Sequence, residues 1–224
     1  MTAHPGTEVR FQLLGALRAW EGRREVALGA PKQRAVLAAL LLRPGRVVAS
    51  EEVIESVWCD PPRAAAGMVR AYVSHIRAAL AGAGARGGPA HVLVSVSGGY
   101  ALWLAEGAVD LEVFEQGVAR ARALRSQGEL RRAADGYQQA LGLWQGPPLA
   151  GVPGPYAELR RARLTEVRVE VQQESWELDL VLGRRCRVAE ELSALAAQRP
   201  LRAQWARLLA QALSGGGAPG RPDG

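Results

Sequence analysis

Apolar and polar positions alternate from Val9 to Gln12 and then run apolar through Leu14, the signature of a strand. Leu17-Arg18-Ala19-Trp20 and Val26-Ala27-Leu28 repeat it, with a turn at Glu21-Gly22-Arg23-Arg24, so a small antiparallel meander is expected. From Pro31 the period changes. Val36, Leu37, Leu40 and Leu41 form a helical stripe that Arg43-Pro44-Gly45 ends. Val47-Val48 reads as extended, and Ser50 is placed to cap a second helix with Val53, Ile54, Val57 and Trp58 inward. Cys59-Asp60-Pro61-Pro62 is a loop, since paired prolines exclude a helix.

A third helix is predicted over about Ala64 to Ala81. At about 100° per residue, Val69, Tyr72, Val73, Ile76 and Leu80 share one face, while Arg70, Ser74 and Arg77 share a flank with Gly67 beside them. Gly82 to Pro89 reads as a glycine-rich loop. Val92 to Val96, the turn Ser97-Gly98-Gly99 and Tyr100 to Leu104 read as a β-hairpin. Beyond it the pattern is helical throughout. Phe114, Val118, Ala121 and Leu124 mark one helix. Residues 128–144, with Ala133, Ala134, Tyr137, Ala140 and Leu141 inward, look like part of a tetratricopeptide repeat. A proline-rich loop precedes helices over about 156–182, 184–198 and 201–213, and residues 214–224 read as a disordered tail.

The predicted fold is therefore mixed α+β. A winged helix-turn-helix over 8–105 is followed by an all-α, tetratricopeptide-like domain over 109–213. The second and third helices make the helix-turn-helix pair and the hairpin is the wing. A helix of this width enters a DNA major groove, with its arginines reaching phosphates and base edges.

Charge sharpens this picture. The chain carries +6, and residues 1–105 hold 12 basic and 7 acidic residues against 16 and 15 in the rest. No carboxylate occurs from Pro61 to Ala105, where Arg63, Arg70, Arg77 and Arg86 lie. A polyanion needs such a clearing, although a solvated basic face explains the charge equally well. Lys32 is the only lysine. Arginine's planar fork suits phosphate and guanine, but a GC-rich genome explains the bias as a whole better.

Other classes lack their residues. Two cysteines cannot build a disulfide scaffold, and the three isolated histidines leave no metal site. No cofactor is expected: the glycine-rich stretches ahead of the tail do not open helices as a phosphate cradle would, and no catalytic constellation appears. No apolar run approaches the roughly 20 residues that cross a bilayer, and no signal peptide is apparent, so a cytoplasmic, nucleoid-associated protein without a membrane partner is expected. Trp58, Trp103 and Trp144 are expected to pack.

Taken together, Val9 to Gly15, Pro31 to Leu42, Val47 to Ile54, Tyr72 to Arg77, Gly99-Tyr100, Val109-Asp110-Leu111 and Trp144 to Leu149 resemble the Streptomyces antibiotic regulatory protein family. Its members are transcriptional activators with an OmpR-type winged helix and a bacterial transcriptional activator domain. The resemblance implies side-by-side protomers on direct repeats in promoters of antibiotic and other secondary-metabolite genes, aiding RNA polymerase and its sigma factor. It puts Arg63, Arg70, Ser74 and Arg77, with Ser97, Gly98, Gly99 and Tyr100 of the wing, on double-stranded DNA. The loop Asp60, Pro61, Pro62 and Arg63 would face polymerase.

The chain departs from the family pattern. Gly67 and Met68 stand where asparagine and threonine are usual, Arg70 where glutamine is, and Ser95-Val96 where the wing carries Thr-Arg. The helical domain is short for the family, which predicts an uncovered apolar face on its last helices. These departures motivate a second hypothesis, a helical-repeat interaction module with a degenerate, weakly selective DNA-binding half.

Overall fold

The computed structural model describes residues 9–83, 93–198, 200 and 202–214. The chain forms two compact units, one holding the chain up to Glu115 together with Gly142–Glu166, the other Gln116–Leu141 and the chain from Val167.

The first unit opens with β1 (Val9–Gln12), β2 (Arg18–Glu21) and β3 (Arg24–Glu25), an antiparallel sheet in chain order. The third strand lies earlier than expected. Pairing of Trp20 with Glu25 and Glu21 with Arg24 closes the hairpin tightly around Gly22, at φ +58°, so only the Val26 amide follows on, bonded to the Ala19 carbonyl. Helix α1 (Pro31–Leu41) starts where proline costs no hydrogen bond, and Gln33 Oε1 accepts the Ala30 amide at 2.8 Å. Every residue from Ala35 to Leu41 is buried, so this is a central helix rather than one with a stripe.

Strand β4 (Val47–Ala49) leads directly into α2 (Ser50–Val57). The expected serine cap does not form. Ser50 is already the first helical residue, Ala49 occupies the cap position, and the Ser50 amide is donated to the Gly98 carbonyl at 2.9 Å. Helix α3 (Ala65–Ala83) buries Val69, Val73, Ile76 and Leu80 against α1 and α2. Tyr72 is half-buried, its ring stacked on Trp58 at 6.4 Å. Gly82 and Ala83 belong to α3, and the rest of the expected glycine-rich loop, with Arg86 and Val92, falls outside the described residues. Strands β5 (Leu93–Val96) and β6 (Gly99–Leu102) form the hairpin, and β4 pairs with β6 to give the order β4-β6-β5. The return strand ends at Leu102, before the expected Trp103. Trp103 is 54% exposed, contrary to its expected packing role, because the chain leaves the sheet there.

Three distant motifs meet on the first sheet. The Phe11 amide bonds the Ala108 carbonyl, and Asp110, at the start of α4 (Asp110–Ser126), accepts the amides of Leu13 at 2.7 Å and Leu14 at 3.0 Å. Burial raises the Asp110 carboxyl above its usual range, against the opposing pull of the Leu13, Leu14 and Leu111 amides. The segment Trp144 to Ala150 closes the other side. The Gln145, Leu149 and Ala150 amides bond the carbonyls of Leu14, Leu13 and Gly15. A Cβ on Gly15 would displace the Gln12 amide, 2.6 Å away at Nε2, and press on Gln145 Cβ at 3.2 Å. Arg161, on α6 (Pro155–Val181), holds the segment by donating to the Pro148, Leu149 and Val152 carbonyls.

In the second unit, small residues let α4 and α5 (Leu130–Leu141) approach closely. A Cβ on Gly117 would lie 3.3 Å from Ala140 Cβ, and one on Gly136 would lie 3.2 Å from Ala121 Cβ. Buried Tyr137 donates its hydroxyl to Glu174, which also receives both nitrogens of an Arg122 fork at 2.6 and 3.0 Å. Helices α7 (Arg185–Gln198) and α8 (Ala203–Ser214) complete the unit. Trp176 and Trp205 meet edge to face at 5.1 Å, with Val188, Leu192, Leu208 and Ala212 around them. Asp179 is wholly buried, with Arg184 at 3.2 Å and Arg187 at 3.5 Å. The expected uncovered apolar face on the last helices is not found among the described residues. α7 and α8 close on each other and on Trp176, so Leu213 is the one large apolar side chain of α8 left exposed.

Candidate nucleic-acid interface

Helix α3 and the hairpin enclose an open groove of about 550 Å³, with the start of α2 along its floor. Arg70, Arg77, Ser95, Gly98 and Tyr100 line it. The groove exists because three backbones converge. The β4–β6 ladder pairs Ala49 with Gly99, and the Ser50 amide then bonds Gly98, so the wing turn is anchored at the N-terminus of α2.

The sequence-predicted residues take different places in and around it. Arg70 and Ser74 are exposed on α3 one helical turn apart. Gly67 beside them has nothing within 4 Å of where a Cβ would stand, so its absence of side chain serves no packing need. Arg77 is half-buried. It donates Nε to the Leu93 carbonyl at 2.7 Å and Nη2 to Ser95 Oγ at 2.8 Å. His75, next to this flank, faces Gln33 Nε2 at 2.9 Å. Ser97 and Gly98 form the exposed wing turn, with Gly98 at φ +79°, where glycine is favoured.

Gly99 and Tyr100 are buried rather than presented. A Cβ on Gly99 would run into the Val48 carbonyl oxygen, so glycine is there to let β6 approach β4, and Tyr100 is 7% exposed. Asp60, Pro61, Pro62 and Arg63 are all exposed in the loop before α3. Glu51 was not foreseen from the sequence. This carboxylate lines the groove from α2, where it also complements the helix dipole, and only the docking of the wing on α2 brings it there. Among the described residues no cluster of three metal-ligating side chains occurs, and no helix is long and apolar enough to cross a membrane.

Comparison with known proteins agrees with this arrangement. The family described as transcriptional regulatory protein, C terminal, matches residues 23–102, and the bacterial transcriptional activator domain family matches residues 109–220. The chain is 44% identical over 207 residues to the regulatory protein AfsR of Streptomyces coelicolor, covering 92% of this chain and 20% of that one. It thus spans a fifth of AfsR's length. It is 32% identical to the regulatory protein DnrI of Streptomyces peucetius, covering 90% of this chain and 76% of that one. The solved structure of Mycobacterium tuberculosis EmbR in complex with a low-affinity phosphopeptide superposes with a TM-score of 0.84 at 31% identity, over 92% of this chain and 54% of that one. An OmpR-type winged helix joined to a bacterial transcriptional activator domain, with relatives of this similarity, makes the chain a member of the Streptomyces antibiotic regulatory protein family of DNA-binding transcriptional regulators.

Proposed function

We propose that this regulator activates promoters of secondary-metabolite, including antibiotic, biosynthesis genes. It binds direct repeats as side-by-side protomers and engages RNA polymerase and its sigma factor through the exposed loop Asp60 to Arg63. One observation carries the reading. Arg70 stands exposed on α3 along a groove whose opposite wall is the wing, and Ser74 is exposed one helical turn further along the same helix. A duplex seated here would take α3 in its major groove, with Ser97 and Gly98 of the wing on the adjacent backbone. The carboxylate-free stretch from Pro61 to Ala105 favours that approach, and Glu51 is the acidic group it would meet.

Footprinting on the promoters neighbouring the gene tests this. Protection of repeats spaced by about one helical turn is expected, on one side of the duplex. Arg70→Ala should cost about 1–3 kcal/mol if Arg70 reads a base. Salt-sensitive binding that ignores sequence, in both the wild type and Arg70→Ala, would refute the operator-selective reading in favour of an interaction module.

A further inference from the structure

We propose that Arg77 is a positioning residue that clamps the wing to helix α3, and that it acts on DNA affinity through the wing without touching DNA. The inference rests on the DNA-binding reading above and assigns one of its residues a different task.

Arg77 lies seven residues beyond Arg70, two helical turns along the same flank, so sequence alone makes the two equivalent. Their surroundings differ. Arg70 is exposed, whereas Arg77 is half-buried with two donors engaged on one strand. That strand is β5, the edge of its sheet, since the order is β4-β6-β5. An edge strand is held by a ladder on one side only. On β5 the Leu93 carbonyl, turned away from that ladder, receives Arg77 Nε, and Ser95 Oγ receives Nη2. The Leu93 carbonyl and the Ser95 hydroxyl lie two residues apart on the strand, and the planar guanidinium fork spans them.

The wing turn begins two residues further on, at Ser97. Its other anchor is the Ser50 amide on Gly98. The hairpin is thus fixed at its base to α3 and at its tip to α2, which sets the separation of the two surfaces that would straddle a DNA strand. Reaching into a groove would require Arg77 to give up two charge-assisted bonds that hold that separation.

The test uses the full chain and the promoter fragment the wild type protects. We compare Arg77→Ala, Arg77→Gln, Ser95→Ala and the Arg77→Ala/Ser95→Ala double variant across a salt titration. If Arg77 neutralised a phosphate, removing its charge would flatten the log–log salt slope by about 0.9. The clamp predicts binding about tenfold weaker in Arg77→Ala with the slope unchanged in both Arg77 variants. It also predicts that Ser95→Ala weakens binding in the wild-type background and adds nothing in Arg77→Ala. A slope reduced by about 0.9, or a Ser95→Ala effect equal in both backgrounds, overturns it.

A second measurement needs no DNA. Amides of the hairpin, 93–102, should exchange faster in Arg77→Ala and in the milder Arg77→Gln than in the wild type, with α1 unaffected. Unchanged hairpin exchange refutes the clamp. Faster hairpin exchange in a protein that binds no operator selectively would instead preserve the clamp and refute the DNA-binding reading.

Discussion

Replacing Asp110 by alanine probes what joins the start of α4 to the first sheet. The carboxylate takes the amides of Leu13 at 2.7 Å and Leu14 at 3.0 Å, and the side chains of both leucines are wholly buried. Removing it orphans two backbone donors, each costing about 1–3 kcal/mol when fully buried. Two features lower the sum. Asp110 borders a cleft of about 480 Å³, through which water can reach the freed amides. Burial also penalises the charged carboxylate, raising its pKa, and the substitution relieves that cost. A net loss of about 2 kcal/mol is expected. Urea unfolding measures it, and hydrogen exchange locates it, since the Leu13 and Leu14 amides should lose protection while those of α3 keep theirs. Stability within about 0.5 kcal/mol of wild type, with both amides still slow to exchange, would refute the assignment of Asp110 as their acceptor.

Two glycines near the groove should respond oppositely. Gly67→Ala enters open space on the exposed side of α3 and should stabilise by about 0.5–1 kcal/mol, whereas Gly99→Ala strikes the Val48 backbone and should destabilise by at least about 2 kcal/mol by parting β4 from β6; thermal melts compare them. Glu174 and Asp110 should contribute to acid stability with opposite signs. Burial alone would raise Glu174, but the bonds from Arg122 and Tyr137 outweigh it, so its folded pKa lies below 4.5 and its stabilisation, present above 4.5, is lost as pH falls through the lower value. Burial leaves Asp110 above 3.8, so its contribution is present below 3.8 and lost as pH rises through the folded value; Glu174→Gln and Asp110→Asn should each remove their own part of a pH–stability profile. Tyr137, pushed up to about 12 by burial and by Glu174, should give a phase near that pH in an alkaline absorbance titration, and Tyr137→Phe should remove it.

The local elements were legible because each is written in a short window. The stripe Val69, Val73, Ile76 and Leu80 fixes which side of α3 is inside, and proline and glycine mark where helices stop and the hairpin turns. The motifs that pointed to the family were equally visible, and so was the flank bearing Arg70, Ser74 and Arg77. Tertiary structure alone could divide the labour among them. Val9 to Gly15, Val109 to Leu111 and Trp144 to Leu149 meet through hydrogen bonds spanning more than 90 residues of sequence, as between Leu14 and Asp110. No periodicity encodes such a pairing. Periodicity likewise gives Arg70 and Arg77 one direction, but the second is hydrogen-bonded to β5 while the first stands exposed, and it cannot tell Gly67, which faces solvent, from Gly99, which faces the Val48 carbonyl. A helix's own geometry sets which way a side chain points, and the neighbouring chain sets what it finds there.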